Sequence, residues 1–118
     1  MYVLVQQMSA QNALAKVSPT WYFVDGTFTW SNDPHRAVRM GKKEARYWLK
    51  EANSNYPNAK HELKDAREHY LMTRLADLYP RVGKAKEEGN EQKFYDLKRQ
   101  YIAAKGKLKR LNQKLYGI

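Results

Sequence analysis

Phe94, Leu97, Tyr101, Ala104, Leu108, Leu111 and Leu115 follow one another at spacings of 3-4-3-4-3-4, and no other feature constrains this chain as strongly. A heptad repeat sustained over that length puts all seven side chains on one stripe of a helix. Lys93, Lys107 and Lys114 flank the stripe on one side, Lys98 and Lys105 on the other. Two identical helices in parallel would set Lys93 against the partner's Lys98, so like charges oppose that dimer. The stripe therefore needs a different partner, and the candidate is an acid-bearing helix earlier in the chain.

The segment 58–79 supplies one. Ala59, Leu63, Ala66 and Tyr70 form a stripe, continued by Leu75, Leu78 and Val82 after a five-residue step that breaks strict heptad phase. Glu62, Asp65, Glu68 and Asp77 supply acids. Pro80 bends or stops this helix, and Lys84 to Glu88, bracketed by Gly83 and Gly89-Asn90, makes a frayed turn or loop. The predicted assembly is an antiparallel helical hairpin of 58–79 and 90–116, with the flanking lysines meeting Glu62, Asp65 and Glu68. Each Leu or Phe buried along the seam contributes ~1.5–3 kcal/mol, well above a surface ion pair.

Before the hairpin the pattern changes period. Tyr2 to Gln6 is apolar and β-branched, which predicts a strand. Ala10, Leu14 and Val17 have helical spacing, although the polar residues of 7–17 also suit a loop. Trp21-Tyr-Phe-Val24, Asp25-Gly26 and Thr27-Phe-Thr-Trp30 carry the signature of a two-residue β-turn. That register pairs Val24 with Thr27, Phe23 with Phe28, Tyr22 with Thr29 and Trp21 with Trp30. Trp21, Phe23, Phe28 and Trp30 then share one face. A domain this short has to bury its largest side chains, which assigns that face to the core; the competing reading is a platform for unpaired bases.

Asp33 before Pro34 predicts an N-capped helical turn through Ala37. A short edge strand at 38–40 follows, then a helix at 42–53 opened by Gly41 and Glu44, with Ala45, Trp48, Leu49 and Ala52 on its apolar face. The fold class is thus α+β. A small domain over 1–57 carries an antiparallel sheet (2–6, 20–24, 27–31 and 38–40) and one helix, and a basic helical extension spans 58–118.

The succession of strand, hairpin, Trp30-Ser-Asn-Asp-Pro-His-Arg-Ala-Val-Arg-Met40 and Gly41-Lys-Lys-Glu-Ala-Arg-Tyr-Trp-Leu49 resembles a recurring unit of short bacteriophage proteins of unknown or host-directed function. The likeness covers residues 20–52, under a third of the chain. It implies a viral accessory protein and says nothing of activity.

Within 118 residues, 22 Lys and Arg face 12 Asp and Glu, a formal charge of +10. That excess predicts a polyanionic partner: nucleic acid (DNA or RNA), an anionic membrane face, or an acidic protein. No cysteine is present, which excludes thiolate-ligated metals and disulfides. No apolar run approaches the ~20 residues of a membrane span, so we expect no membrane partner and a cytoplasmic chain, in the host cytoplasm if viral. Gly-rich phosphate loops, a nucleophile–His–acid set and HExxH are all missing from the sequence, and the expectation is a non-enzymatic protein with no cofactor. His61, Asp65 and His69, at i, i+4, i+8 of the predicted helix, form the one metal-like ladder. With no fourth ligand in view it is a solvated face, and no metal is expected.

The cations are the stronger signal. Lys42, Lys43, Arg46 and Lys50 lie opposite the apolar face of the 42–53 helix. Lys98, Arg99, Lys105, Lys107, Lys109, Arg110 and Lys114 lie outside the seam of the last helix, where Glu91 and Asp96 offset them only in part. Lysine outnumbers arginine here, which suits point-charge contacts to phosphates more than bidentate reading of base edges. The function expected is nucleic-acid binding with low sequence specificity by a monomer or weak oligomer. The alternative is an inhibitor or adaptor that clamps an acidic host or defence protein.

Overall fold

A computed structural model describes residues 1–8, 20–25 and 29–117, with Met8 described by its backbone alone. The chain divides into two compact units, Met1–Ala66 and Arg67–Ile118.

The first unit is built on a four-stranded antiparallel sheet in the order β3-β2-β1-β4, where β1 is Tyr2–Met8, β2 Thr20–Asp25, β3 Thr29–Ser31 and β4 Ala59–Asp65. The central strand β1 is buried on both faces, which explains its apolar run Val3, Leu4 and Val5, and the polar Gln6 that follows is buried as well. Helix α1, Lys42–Asn55, packs Ala45 and Ala52 against Leu4, Phe23 and Met40, with Trp30, Trp48, Leu49 and Leu63 completing the core. Phe23 meets Trp30 edge-on at 5.6 Å and Trp48 at 5.3 Å between ring centroids. Those aromatics are core, as the burial demand requires. On the opposite face Val3 and Val5 pack with Ala66, Tyr22 and Ala37.

Three expectations for this unit need correction. Residues 59–65 are a strand, not the start of a helix: β4 pairs with β1 along its whole length, from Tyr2↔Asp65 to Met8↔Ala59. The i, i+4, i+7 spacing of Ala59, Leu63 and Ala66 mimics a helical stripe, but His61 and Leu63 are half-buried and alternate with the exposed Lys60 and Glu62, which is period two. An otherwise unpaired edge of β1 captures the segment, so pairing overrides local preference. The β2–β3 register also differs. Phe23 pairs with Trp30, Tyr22 with Ser31 and Asp25 with Thr29, with an irregularity between Phe23 and Asp25. Asp25 thus belongs to the ladder and not to a two-residue turn, while 26–28 lie outside the described residues. At Tyr22 and Phe23 the slip is by two residues, and two is the period of a strand, so Phe23 and Trp30 keep the face expected of them. Finally, 38–40 contributes one bridge, Met40 with Tyr2, whose two hydrogen bonds are both 2.8 Å. The helical reading of 7–17 and the position of Phe28 lie outside the described residues, apart from the β1 residues Gln7 and Met8.

The turn after β3 is as expected. Pro34–Arg36 forms a single 3-10 turn capped by Asp33, whose Oδ1 accepts from the His35 backbone N–H at 3.0 Å and from its ring Nδ1 at 2.8 Å.

The second unit is an antiparallel pair of helices, α2 (Ala66–Glu87, whose first residue belongs to the first unit) and α3 (Glu91–Tyr116). Leu78 and Ala85 of α2 are buried against Leu97 of α3, joined by Val82, Phe94 and Tyr101. Further along, Arg74 donates to Gln100 at 3.2 Å and the Tyr116 hydroxyl to Glu68 at 2.5 Å, which fixes the antiparallel sense. Every residue of the α3 seam is at least partly shielded. On α2 the matching stripe of shielded apolar residues is Leu71, Leu75, Leu78, Val82 and Ala85, spaced 4-3-4-3. The five-residue step disappears once the stripe begins at Leu71 in place of Tyr70, which is exposed.

Pro80 does not end α2, and Lys84 to Glu87 is helical. A proline inside a helix costs ~3 kcal/mol, and seam packing on either side of it, at Leu78, Val82 and Ala85, offsets that. The helix ends instead at Gly89 (φ +70°), where Gly89 N–H donates to Lys86 C=O and Asn90 N–H to Ala85 C=O. This pair of bonds is a Schellman motif, and it requires the left-handed residue that glycine supplies. Asn90 then caps α3 by accepting from Lys93 N–H at 3.2 Å. The expected ion pairing across the seam also changes. Glu62 and Asp65 lie on β4, and Glu68 takes the Tyr116 hydroxyl.

Candidate nucleic-acid interface

All eleven cations singled out from the sequence are exposed, in two groups that belong to separate units. In the first group Lys42, Arg46 and Lys50 recur every four residues along the outer face of α1, with Lys43 beside them. Lys42 and Lys43 occupy the first turn, where the positive end of the helix dipole disfavours cations by ~0.3–1 kcal/mol each.

The second group lies on α3. Lys98, Lys105 and Lys109 fall on one flank of the seam, and Lys107, Arg110 and Lys114 fall toward the other by heptad position. From Leu97 to Tyr116 this helix contains no carboxylate. Only Lys114 is in the last turn, so the helix dipole does not account for Lys105 to Arg110. Lys105 with Lys109, and Arg110 with Lys114, are like-charged i, i+4 pairs, each destabilising an isolated helix by ~0.2–0.5 kcal/mol. Unit by unit, the second holds more than half of the lysines and arginines but half of the acids.

Two grooves flank α3. One, about 910 Å³, lies between the helices and is lined by Tyr79, Pro80, Val82 and Gly83 from α2 and by Phe94, Lys98, Tyr101 and Ile102 from α3, with Lys84, Lys86 and Glu87 at its edge. The other, about 620 Å³, continues from Ile102 past Lys105, Gly106, Leu108 and Lys109 to Asn112 and Gln113. Tyr79 is 71% exposed and Ile102 58%. Tyr79 and Tyr101 stand 6.2 Å apart, and Lys98 Nζ lies 5.6 Å from the Phe94 ring centroid. Sequence periodicity directs attention to the seam and passes over this groove. The signal that could have found it is Ile102, a large apolar residue off the seam and among lysines.

The His61–Asp65–His69 ladder does not form. His61 and Asp65 are four residues apart on a strand, about 13 Å, and His69 is on α2. Among the described residues no group of three His, Cys, Asp or Glu side chains is placed to hold a metal ion. His61 has a structural role instead. The Gln6 amide nitrogen, on a residue 5% exposed, can only donate, so His61 Nε2 accepts from it at 3.0 Å. The ring proton is then on Nδ1 and is donated to Asn53 Oδ1 at 2.9 Å, which ties α1 to β4. Burial holds the His61 pKa below its ordinary value, in keeping with a neutral ring. Burial likewise raises the Tyr22 phenol, and the hydrogen bonds from His35 keep the Asp33 carboxyl below its usual range.

Among the described residues no helix is long and apolar enough to cross a membrane. Compared with protein-family models, curated proteins and solved structures, the chain matches none.

Proposed function

We propose that this chain is a non-enzymatic nucleic-acid-binding protein that holds the phosphate backbone through lysine contacts with low sequence specificity. The observation that carries the reading is the run Leu97–Tyr116: seven exposed cations with no intervening acid, in a helix that is locally destabilised by their mutual repulsion. Phosphates relieve that repulsion and release condensed counterions on binding. Lys42, Lys43, Arg46 and Lys50 on α1 extend the same chemistry to the first unit. The likeness of residues 20–52 to bacteriophage proteins supports an accessory role in the cytoplasm of an infected host.

Fluorescence anisotropy with random-sequence DNA and RNA tests the proposal. Binding is expected in about 50 mM salt and is expected to weaken steeply as salt rises. Replacing Lys105 and Lys109 together by Gln lowers the log–log salt slope on duplex DNA by about 1.8, near 0.9 for each phosphate no longer neutralised. A chain that binds neither polymer in low salt, or whose salt slope ignores these substitutions, refutes the reading.

A further inference from the structure

The groove between α2 and α3 has a composition that phosphate tracking alone does not explain. Tyr79 and Ile102 remain open to solvent on a unit small enough to need every apolar side chain it has, while Lys84, Lys86 and Lys98 stand at the rim. Lys84 is 3.9 Å from Glu88 and Glu87 also reaches the edge, so at this end the cations are partly offset. Beyond Ile102 the charged lining turns wholly cationic with Lys105 and Lys109. From Lys98 to Lys109 the helix rises about 16 Å, so the track is long enough for several phosphates. Gly106 is among its lining residues. A Cβ there would meet only the Arg110 guanidinium, at an ordinary 3.6 Å, so internal packing does not call for glycine in mid-helix.

From this we infer that the α2–α3 groove is a binding site for single-stranded nucleic acid, in which an unpaired base stacks on Tyr79 while its flanking phosphates follow Lys98, Lys105 and Lys109. This rests on the proposed function and narrows it to single strands. Exposed aromatic rings beside a cationic groove accept any base, because every base has a π-face, whereas a duplex keeps its bases stacked and offers only phosphates. An acidic amphipathic helix is the rival occupant; Glu87 in the groove lining repels an acidic side chain placed beside it and does not repel a neutral base.

The test uses the full chain with a twenty-nucleotide random single strand and the matching duplex. Tyr79 is exposed, so Tyr79→Ala leaves the helix pair folded, which circular dichroism verifies. Tyr79→Ala is expected to weaken single-strand binding roughly 5- to 150-fold, the loss of one base–aromatic stack, with duplex binding changed less than about twofold. Tyr79→Phe keeps the ring and restores single-strand affinity. Equal losses on both forms, or none on either, overturn the stacking site while leaving phosphate binding in place. Failure of the wild-type chain to bind either form overturns the proposed function as well. A glutamate-rich helical peptide that binds the wild type in place of the strand, and fails to bind Tyr79→Ala, would reassign the groove to a protein partner.

Discussion

Truncating Leu97 probes the clasp between the two helices directly. Leu97 is 4% exposed and lies against Leu78 and Ala85, with Phe94 and Tyr101 on its own helix. Leu→Ala substitutions in cores cost about 2–5 kcal/mol, the transfer term plus a penalty for the cavity left behind. Ala85 and Ala104 are already small and buried, so neither can swing in to fill the hole. We therefore place Leu97→Ala at about 3 kcal/mol. With a urea slope near the lower end for small domains, about 1 kcal/mol/M, the midpoint of helix unfolding falls by about 3 M. Far-UV circular dichroism during a urea titration reads it, because α2 and α3 are the two longest helices. Ile102→Ala, close by on the same helix but 58% exposed, serves as the control and should cost under about 0.5 kcal/mol. A cycle with Leu78→Ala should give a coupling of about 0.5–3 kcal/mol. Equal effects at Leu97 and Ile102, or no coupling to Leu78, would refute an intramolecular clasp.

Three further outcomes follow from named contacts. His61 is neutral in the fold and its pKa lies below 6.5, so its contribution to stability is complete above that pH and fades as pH falls from 6.5 toward the lowered value. Thermal melts at about pH 7.5 and about pH 5.5, either side of the ordinary histidine pKa, should show a drop in the wild type that His61→Gln reduces; an unchanged drop would exclude His61 as its source. Gly89→Ala forces a side chain into φ +70° and should destabilise the helix pair by about 1–2 kcal/mol. Gly83→Ala, helical with open space around its Cβ position, should stabilise it by about 0.5–1 kcal/mol, and chemical denaturation separates the two signs. Asn90→Ala removes the α3 cap and should cost about 1 kcal/mol by the same measurement, with no loss expected for the exposed Gln92→Ala.

Helix α3 was legible to within a residue because its signals are local. A 3-4 repeat is a property of the helix's own period, and it holds wherever the helix sits. The same is true of the Asp33–Pro34 turn and of the inward face of α1. Residues 59–65 were not legible, because seven residues carrying Ala59 and Leu63 fit either period, and only β1, far away in sequence, decides for a strand. The β2–β3 register escaped for a related reason: the slip of two at Tyr22 and Phe23 keeps those side chains and their partners on their faces, so the hydrophobic pattern cannot detect it. The cations were legible as a surface charge. The groove they border was not, since it exists only where α2 lies beside α3 and brings Tyr79 to Ile102. Period and charge belong to the chain, whereas strand pairing and concavity belong to segments that meet only after folding.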